Sequence, residues 1–220
     1  MRYGAARWLR NLGAVLLLGA GMANAEPVTI AALGDSLTQG YGLEQGDGFV
    51  PQLQDWLKSR GAEVLVLNAG VSGDTTQGGL SRVAWTLTSE VDAMIVALGG
   101  NDLLRGIDPA VSRANLDGIL RAAQAADVQV LLVGINAPGN YGPEYKRDFE
   151  AMYPELAEQY GALYAESFLE PLAEVAEQDG AFASYMQGDG IHPNAAGVAL
   201  IVKGLGPKVL ELVERARVPG

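Results

Sequence analysis

Short apolar runs alternate along the chain with longer segments in which apolar residues recur at helical spacing. Apolar runs of four to eight residues are typical of β-strands, and longer periodic segments are typical of amphipathic helices. The pattern predicts strands at 28–33, 63–68, 93–98, 128–135 and 162–167. It predicts helices near 49–60, 76–87, 109–126, 143–160 and 194–216. Strands this continuously apolar are buried on both faces, so the alternation predicts a three-layer α/β/α, doubly wound fold with a five-stranded parallel sheet.

The first 25 residues depart from this pattern. Three arginines precede the apolar run "AVLLLGAG", and the small residues "ANA" end at Ala25. A basic start, a short apolar stretch and small residues before a cleavage point are typical of a secretory signal peptide. The sequence therefore predicts a cleavable signal peptide over 1–25 and a single domain over 26–220, located in the periplasm or the medium without stable membrane insertion. The alternative is an uncleaved amino-terminal anchor.

Charge and composition exclude several classes of partner and cofactor. The chain has a formal net charge of −11, contains no cysteine and has one histidine. Because an acidic chain repels phosphate backbones, nucleic acid is not an expected partner. A thiol nucleophile, a disulfide framework and a Cys- or His-rich metal site are excluded as well. We expect a monomer that acts on a small molecule and needs no metal or other cofactor.

Polar, glycine-rich segments follow three of the predicted strands, and the single histidine follows the last one. They read "GDSLTQGYG" after the first strand, "AGVSGDTT" after the second, "GGNDLLRG" after the third and "DGIHPNAAG" near the carboxyl end. In open parallel sheets, ligands bind beyond the carboxyl ends of the strands. We therefore expect these segments to form one functional site.

Ser36 and the only imidazole in the chain are candidates for nucleophilic catalysis. Ser36 lies two residues beyond an apolar strand, where a sharp turn would expose its hydroxyl. A serine needs a base to take its proton, and His192 is the only histidine available. Asp189, three residues earlier, would orient the imidazole. The alternatives are that Ser36 caps a helix, that its loop is a plain turn or cradles a phosphate, and that Asp189 and His192 are ordinary loop residues.

An ester-cleaving serine also requires donors for the oxyanion that forms during attack. The candidates are the backbone N–H groups of Ser36 and Gly70 and the side-chain amide of Asn101. A turn glycine and a helix-capping asparagine are the alternatives. We interpret Asp35 and Asp102 as structural carboxylates.

The four segments together resemble the SGNH family of GDSL-type hydrolases. The match lies in "GDSL" with Ser36, "NAGVSGDTT" with Gly70, "GGND" with Asn101, and "DGIHP" with Asp189 and His192. The resemblance implies a flavodoxin-like fold that hydrolyses esters through a Ser–His–Asp triad. It is strongest to the secreted bacterial thioesterase, lysophospholipase and arylesterase branch, whose members cleave acyl esters and thioesters.

The resemblance also indicates where an acyl group would bind. The family segment that shapes the acyl pocket corresponds to residues 74–80, and Leu103 adds an apolar side chain near the site. The candidate substrate-binding residues are Leu37, Asp74, Leu80, Asn140 and Tyr141. Two other functions stay open: a carbohydrate O-acetylesterase, and a non-catalytic flavodoxin-like module that binds FMN or another phosphate ligand.

Overall fold

Five parallel strands form one sheet in the computed structural model, which describes residue 1 and residues 26–218 apart from the side chains of residues 176–179. The strands are β1 (Val28–Gly34), β2 (Val64–Gly70), β3 (Ala93–Ala97), β4 (Gln129–Val133) and β5 (Leu163–Ala165). Their order across the sheet is β2-β1-β3-β4-β5, and each neighbouring pair is parallel. The predicted α/β fold with a five-stranded parallel sheet is confirmed.

Helices cover both faces of the sheet. They are α1 (Ser36–Gln39), α2 (Phe49–Ser59), α3 (Thr76–Thr86), α4 (Gly100–Leu104), α5 (Pro109–Ala125), α6 (Pro143–Tyr160), α7 (Glu170–Asp179) and α8 (Ala195–Ala216), with a 3-10 turn at Phe182–Tyr185. The five predicted helices correspond to α2, α3, α5, α6 and α8. The sequence pattern did not predict α1 and α4, which are too short to show a period, or α7, which follows the shortest strand.

Each face of the sheet has its own hydrophobic core. Ile30 and Ala32 of β1 pack among α2 and α8, whereas Ala31 and Leu33 pack among α3, α5 and α6. This division follows from the alternation of side chains along a strand. Full burial of a Leu or Ile side chain stabilises the folded state by about 1.5–3 kcal/mol. Packing of several such residues on both faces therefore fixes the position of the sheet between the helices.

The strand order creates a crevice at the carboxyl end of β1. The chain passes from β1 to β2 on one side and then crosses to β3 on the other, so β1 lies at the topological switch point. Gly34 at the end of β1 is in register with Gly70 of β2 and Ala97 of β3. The three strands therefore end at one level, and the segments that follow them converge.

The predicted signal peptide lies outside the described residues, except for Met1. Cleavage after residue 25 and export stay predictions. Among the helices that are described, none combines the length and the apolarity needed to cross a membrane.

Candidate active site

Ser36 begins α1 directly beyond β1. The side chain of Asp35 caps the helix by accepting a hydrogen bond of 3.0 Å from the backbone N–H of Leu37. This cap turns the chain sharply out of the sheet and holds Ser36 at the first helical position. The backbone N–H of a residue in this position has no partner within its own helix. Ser36 therefore lines the crevice with a backbone N–H that its own helix does not engage.

His192 connects Ser36 to Asp189 through the two nitrogens of its ring. His192 Nε2 lies 2.9 Å from Ser36 Oγ, and Nδ1 lies 2.7 Å from Asp189 Oδ2. An ionised carboxylate can only accept hydrogen bonds, so Nδ1 carries the proton and donates to Asp189. Nε2 is then the acceptor for the Ser36 hydroxyl. The structure thus brings together the three residues predicted to form a triad, which are separated by up to 156 positions in sequence.

Asp189 is stabilised in its ionised form. Hydrogen bonds lower the pKa of this carboxyl to about 2: the ring N–H of His192 has the largest effect, and the backbone N–H groups of His192 and Ile191 contribute the rest. Those two N–H groups donate to Asp189 Oδ1 over 3.0 and 2.9 Å. One oxygen of Asp189 therefore shapes the loop, and the other orients the imidazole.

Gln187 and Tyr41 hold the histidine loop from the opposite side. The backbone N–H of Gln187 donates to the carbonyl of His192 over 2.7 Å and closes the loop. The side-chain amide of Gln187 donates to the carbonyls of Tyr41 and Pro193 over 2.8 and 3.0 Å. The ring centroids of Tyr41 and His192 are 4.8 Å apart. Gln187 therefore holds the backbone on both sides of the histidine, and the Tyr41 ring packs beside the imidazole. The sequence pattern did not indicate either role.

Asn101 lies in the first turn of α4, beyond β3. Its side-chain nitrogen donates to the carbonyl of Asp74 over 2.9 Å and has a longer contact of 3.4 Å with Asp35 Oδ2. The strong bond fixes the amide plane. The other N–H of this amide has only the 3.4 Å contact with Asp35, so it can donate to an oxygen placed in the crevice.

Gly70, predicted as an oxyanion donor, lies outside the crevice. The N–H of Gly70 donates to Asn68 Oδ1 over 2.9 Å, and Gly70 does not line the crevice. A Cβ at this position would lie 2.4 Å from the backbone nitrogen of Gln39, so a side chain here would displace α1. Gly70 therefore allows α1 to pack against the end of β2.

Gly73, in the same segment, faces the site instead. Ser72 and Gly73 line the crevice together with Ser36, Asn101 and His192. Gly73 has a φ of 82°, a left-handed conformation that side chains disfavour. The conformation at Gly73 is the local signal that distinguishes the two glycines, and it appears only in three dimensions.

An apolar cavity of about 600 Å³ opens beside Ser36. Its apolar lining comes from Leu37, Leu103, Leu104, Ile135, Phe168, Leu169, Ala173, Phe182 and Ile191. Asn136 and Glu170 add polar groups and are hydrogen-bonded to each other over 3.1 Å. Ligand sites of this volume and polarity suit drug-sized apolar groups.

Only one of the five predicted substrate-binding residues, Leu37, lines this cavity. Asp74 is paired with Arg82, and Leu80 packs against α5 beside Gly118, so neither faces the cavity. Asn140 is exposed and also lies outside the lining. Tyr141 does not line the cavity either, but its hydroxyl donates over 3.4 Å to the carbonyl of Leu104, which does. The structure therefore places four of the predicted substrate-binding residues outside the cavity lining: Asp74, Leu80, Asn140 and Tyr141.

The two carboxylates interpreted as structural differ in their surroundings. Burial raises the pKa of Asp35 to about 6, against the lowering effect of its hydrogen bond from Leu37. Asp102 is fully buried and accepts hydrogen bonds from Thr76 and Ser112, which join α3, α4 and α5.

In the described part of the chain, no group of three or more His, Asp or Glu side chains is arranged to hold a metal ion.

Comparison with known proteins identifies the family. Residues 32–200 match the GDSL-like lipase/acylhydrolase family. The chain belongs to this family. The resemblance found in the sequence is confirmed, and the protein is an enzyme of the ester-hydrolase class, EC 3.1.

Individual members of the GDSL-like family resemble the chain over most of its length. It is 38% identical over 186 residues to the esterase TesA of Pseudomonas aeruginosa, covering 84% of this chain and 89% of that protein. Its identity to thioesterase 1/protease 1/lysophospholipase L1 of Escherichia coli K12 is 35% over 186 residues, which cover 84% of this chain and 85% of that protein. The crystal structure of AlinE4, an SGNH-hydrolase family esterase, is 42% identical with a TM-score of 0.69, covering 85% of this chain and 97% of that chain.

Most of the cavity lining was missed by reasoning from the sequence. Ile135 and Asn136 follow β4, and the segment from Ser167 to Glu170 follows β5. The rule that functional residues follow parallel strands could have indicated both segments. Ala173 and Phe182 belong to α7 and the 3-10 turn and have no such signal.

Proposed function

We propose that this GDSL-family enzyme hydrolyses carboxylic esters and thioesters of acyl groups, with Ser36 as nucleophile, His192 as base and Asp189 as the group that orients it. One observation carries this proposal: His192 is hydrogen-bonded to Ser36 Oγ through one ring nitrogen and to Asp189 through the other. This arrangement makes a serine hydroxyl nucleophilic at neutral pH.

The reaction proceeds in two halves that use the same histidine. Ser36 Oγ attacks the acyl carbonyl carbon while its proton passes to His192 Nε2. The tetrahedral intermediate collapses, and the leaving alcohol or thiol takes the proton from His192. A water molecule then gives a proton to His192 and attacks the acyl-serine ester. As the bond to Ser36 Oγ breaks, His192 returns the proton to that oxygen, which releases the carboxylic acid and restores Ser36. Asp189 stabilises the imidazolium in both halves without accepting its proton.

The oxyanion would be held by the backbone N–H groups of Ser36 and Gly73 and by the side-chain amide of Asn101. Gly73 takes the place first assigned to Gly70, because Gly73 lines the crevice and the Gly70 N–H is engaged by Asn68. All three donors are neutral, so they bear no cost of burying a charge. Removal of one such donor typically lowers kcat by about 10²–10³-fold.

The size and apolarity of the cavity favour an acyl chain over a sugar-bound acetyl group. A volume of about 600 Å³ lined by leucine, isoleucine and phenylalanine far exceeds what an acetyl group fills. A carbohydrate deacetylase would need polar groups that recognise hydroxyls, and Asn136 and Glu170 are already paired with each other. The relatives described as an esterase and as a thioesterase and lysophospholipase have functions of the same class.

The test is hydrolysis of p-nitrophenyl esters from acetyl to palmitoyl, and of a matched acyl thioester, by wild type and Ser36→Ala. We expect wild type to prefer acyl chains longer than acetyl and Ser36→Ala to lose about 10⁴-fold or more in kcat. Ser36→Ala should remain folded because it removes only one oxygen atom. Activity confined to acetyl groups would favour the deacetylase, and an active Ser36→Ala variant would rule out the proposed mechanism.

The predicted signal peptide supports an exported enzyme. An intact mass equal to residues 26–220 for protein recovered from the periplasm or medium would support cleavage after Ala25. The full-length mass would contradict it.

A further inference from the structure

Arg82, on α3, touches no part of the cavity, yet it contacts three segments that build the site. Its Nη2 donates to the carbonyl of Gly34 over 2.9 Å, and its Nη1 donates to the carbonyl of Ala69 over 2.6 Å. Its Nε donates to Asp74 Oδ2 over 2.6 Å. A single guanidinium therefore joins the end of β1, the end of β2 and the segment that leads into α3.

These three acceptors lie next to the reacting groups in sequence. Gly34 is two residues before Ser36, and Asp74 directly follows Gly73. The carbonyl of Asp74 in turn accepts the 2.9 Å hydrogen bond from Asn101. Each donor of the proposed oxyanion hole therefore lies within two residues of, or is hydrogen-bonded to, a residue that Arg82 binds.

The segment that carries Ser72 and Gly73 is held at both ends by this arrangement. At its start, the N–H of Val71 donates over 3.0 Å to the same Gly34 carbonyl that Arg82 binds. At its end, the Asp74 carboxylate is bound by Arg82 and lies against Gly78, where a Cβ would be 2.4 Å from Asp74 Oδ1. The side chains of Arg82 and Asp74 are only 22% and 18% exposed, so water competes little for these bonds.

We propose that Arg82 is a positioning residue for ester hydrolysis: by joining Gly34, Ala69 and Asp74, it holds the Gly73 N–H and the Asn101 amide at the correct distance from Ser36. The proposal rests on the proposed function of the site. Arg82 touches neither substrate nor the reacting atoms, and its effect passes through the backbone of the two loops. Displacement of such groups by about 1 Å can lower a rate by about 10²-fold.

A lysine cannot replace Arg82 in this role. The guanidinium is a planar fork with donors that point in several fixed directions, whereas an ammonium group is a compact point charge on a flexible stem. Lysine could keep the charge opposite Asp74 but could not reach both strand ends at the same time. Arg82→Lys therefore separates the role of charge from the role of geometry.

Arg215 offers a matched control at the opposite end of the molecule. It also donates to a backbone carbonyl, that of Gly161 over 3.1 Å, and to a carboxylate, that of Glu211 over 3.3 Å. Its contacts lie at the amino-terminal edge of the sheet, away from the site. Arg215→Met removes an arginine with the same kinds of partner without touching the loops that Arg82 joins.

The experiment measures kcat and KM for p-nitrophenyl octanoate in wild type, Ser36→Ala, Arg82→Lys, Arg82→Ala and Arg215→Met, with circular dichroism to establish the folded fraction. We expect Arg82→Lys to lower kcat by about 10- to 100-fold with KM within about threefold, because oxyanion contacts act in the transition state. We also expect about 50 mM guanidinium chloride, but not urea, to restore part of the Arg82→Ala activity. Arg215→Met should match wild type.

Different results would overturn the proposed function of the site and the positioning role of Arg82. An inactive wild type, or an active Ser36→Ala, overturns the proposed function and the role of Arg82 with it. If wild type is active and Ser36→Ala is not, a kcat of Arg82→Lys within twofold of wild type overturns the positioning role alone. A rise in KM at unchanged kcat, or a loss of activity equal to the loss of folded protein, overturns it as well.

Discussion

The two walls of the cavity are built by different forces. One, the polar wall, is held by directional hydrogen bonds and consists of Asp35, Ser36, Ser72, Gly73, Asn101, Asp189 and His192. The other, the apolar wall, consists of Ile135, Phe168, Leu169, Ala173 and Phe182 and is formed by packing of side chains from the segments after β4 and β5. The first would perform the reaction, and the second would select the acyl group.

The difference determines how much change each wall tolerates. A hydrogen bond weakens steeply when its angle or distance changes, so small shifts in the polar wall should lower the rate for every substrate. Dispersion and hydrophobic contacts have little directionality, so the apolar wall can change shape while keeping its function. We therefore expect substitutions in the polar wall to lower kcat generally, and substitutions in the apolar wall to change substrate preference.

The largest effect is expected from a single atom in the polar wall. Asp189→Asn keeps an oxygen for the N–H groups of Ile191 and His192 but replaces the oxygen that accepts from His192 Nδ1. An amide nitrogen there would favour the wrong tautomer of the imidazole. We expect kcat to fall by about 10³–10⁴-fold with little change in KM, measured on p-nitrophenyl octanoate.

Asp108→Asn is the matched control for Asp189→Asn. Asp108 also accepts a backbone N–H, that of Ala110 over 2.9 Å, but at the start of α5. A decrease of less than tenfold in Asp189→Asn would contradict the role given to Asp189. The lowered pKa of Asp189 also stabilises the folded state. This contribution to the free energy of unfolding is complete at pH values above 3.8, the usual pKa of an aspartate, and is lost as the pH falls through about 2.

An effect of intermediate size is expected in the pH dependence of the free energy of unfolding. It arises from the buried carboxyl of Asp35 in the polar wall. Burial raises the pKa of this group to about 6 from 3.8. The folded state therefore binds its proton more tightly than the unfolded state, and stability falls as pH rises between about 4 and 6. The shift of about two units corresponds to a free energy of unfolding lower by about 3 kcal/mol above pH 6.

Asp35→Asn should remove this pH dependence, since asparagine can still cap α1 and carries no charge. Urea unfolding at pH 4, 5, 6 and 7 measures the difference between variant and wild type at each pH. Glu90→Gln, an exposed position, is the control for loss of one carboxyl elsewhere. Parallel curves for wild type and Asp35→Asn would show that the Asp35 carboxyl has no raised pKa.

The smallest effect is expected in the apolar wall and should depend on the substrate. Ala173, on α7, is half-buried and faces the cavity. Ala173→Leu fills part of the space open to a long acyl chain, and overpacking by this amount typically costs about 1–3 kcal/mol. We expect kcat/KM to fall about tenfold for the decanoyl ester and to stay within twofold for the acetyl ester.

Glu174→Leu introduces the same side chain at the next position, which is exposed and does not line the cavity. It should leave the chain-length profile unchanged. Equal losses of Ala173→Leu activity for acetyl and decanoyl esters would mean that the apolar wall also controls the reaction, and the distinction between the two walls would fail.

Reasoning from the sequence was most successful where chemistry and position coincide. Ser36, Asn101, Asp189 and His192 all lie directly after predicted strands or within one short loop, so strand ends were enough to place them in one site. The two glycines of the second loop are three residues apart, and strand ends cannot distinguish them. They differ in their surroundings, because the Gly70 N–H donates to Asn68 Oδ1 whereas Gly73 lines the cavity.

The sequence by itself determined the sheet, its parallel strands and the residues suited to nucleophilic attack, because apolar periodicity and residue chemistry are local properties of the chain. Only the tertiary structure decided that Gly73 faces the site, that Leu80 packs against α5, and that α7 completes the cavity. Those outcomes depend on contacts between segments far apart in the chain, such as the bonds from Arg82 to Gly34 and Ala69. Such contacts leave no period or motif in the sequence, since each residue's place is set by neighbours that the fold brings to it.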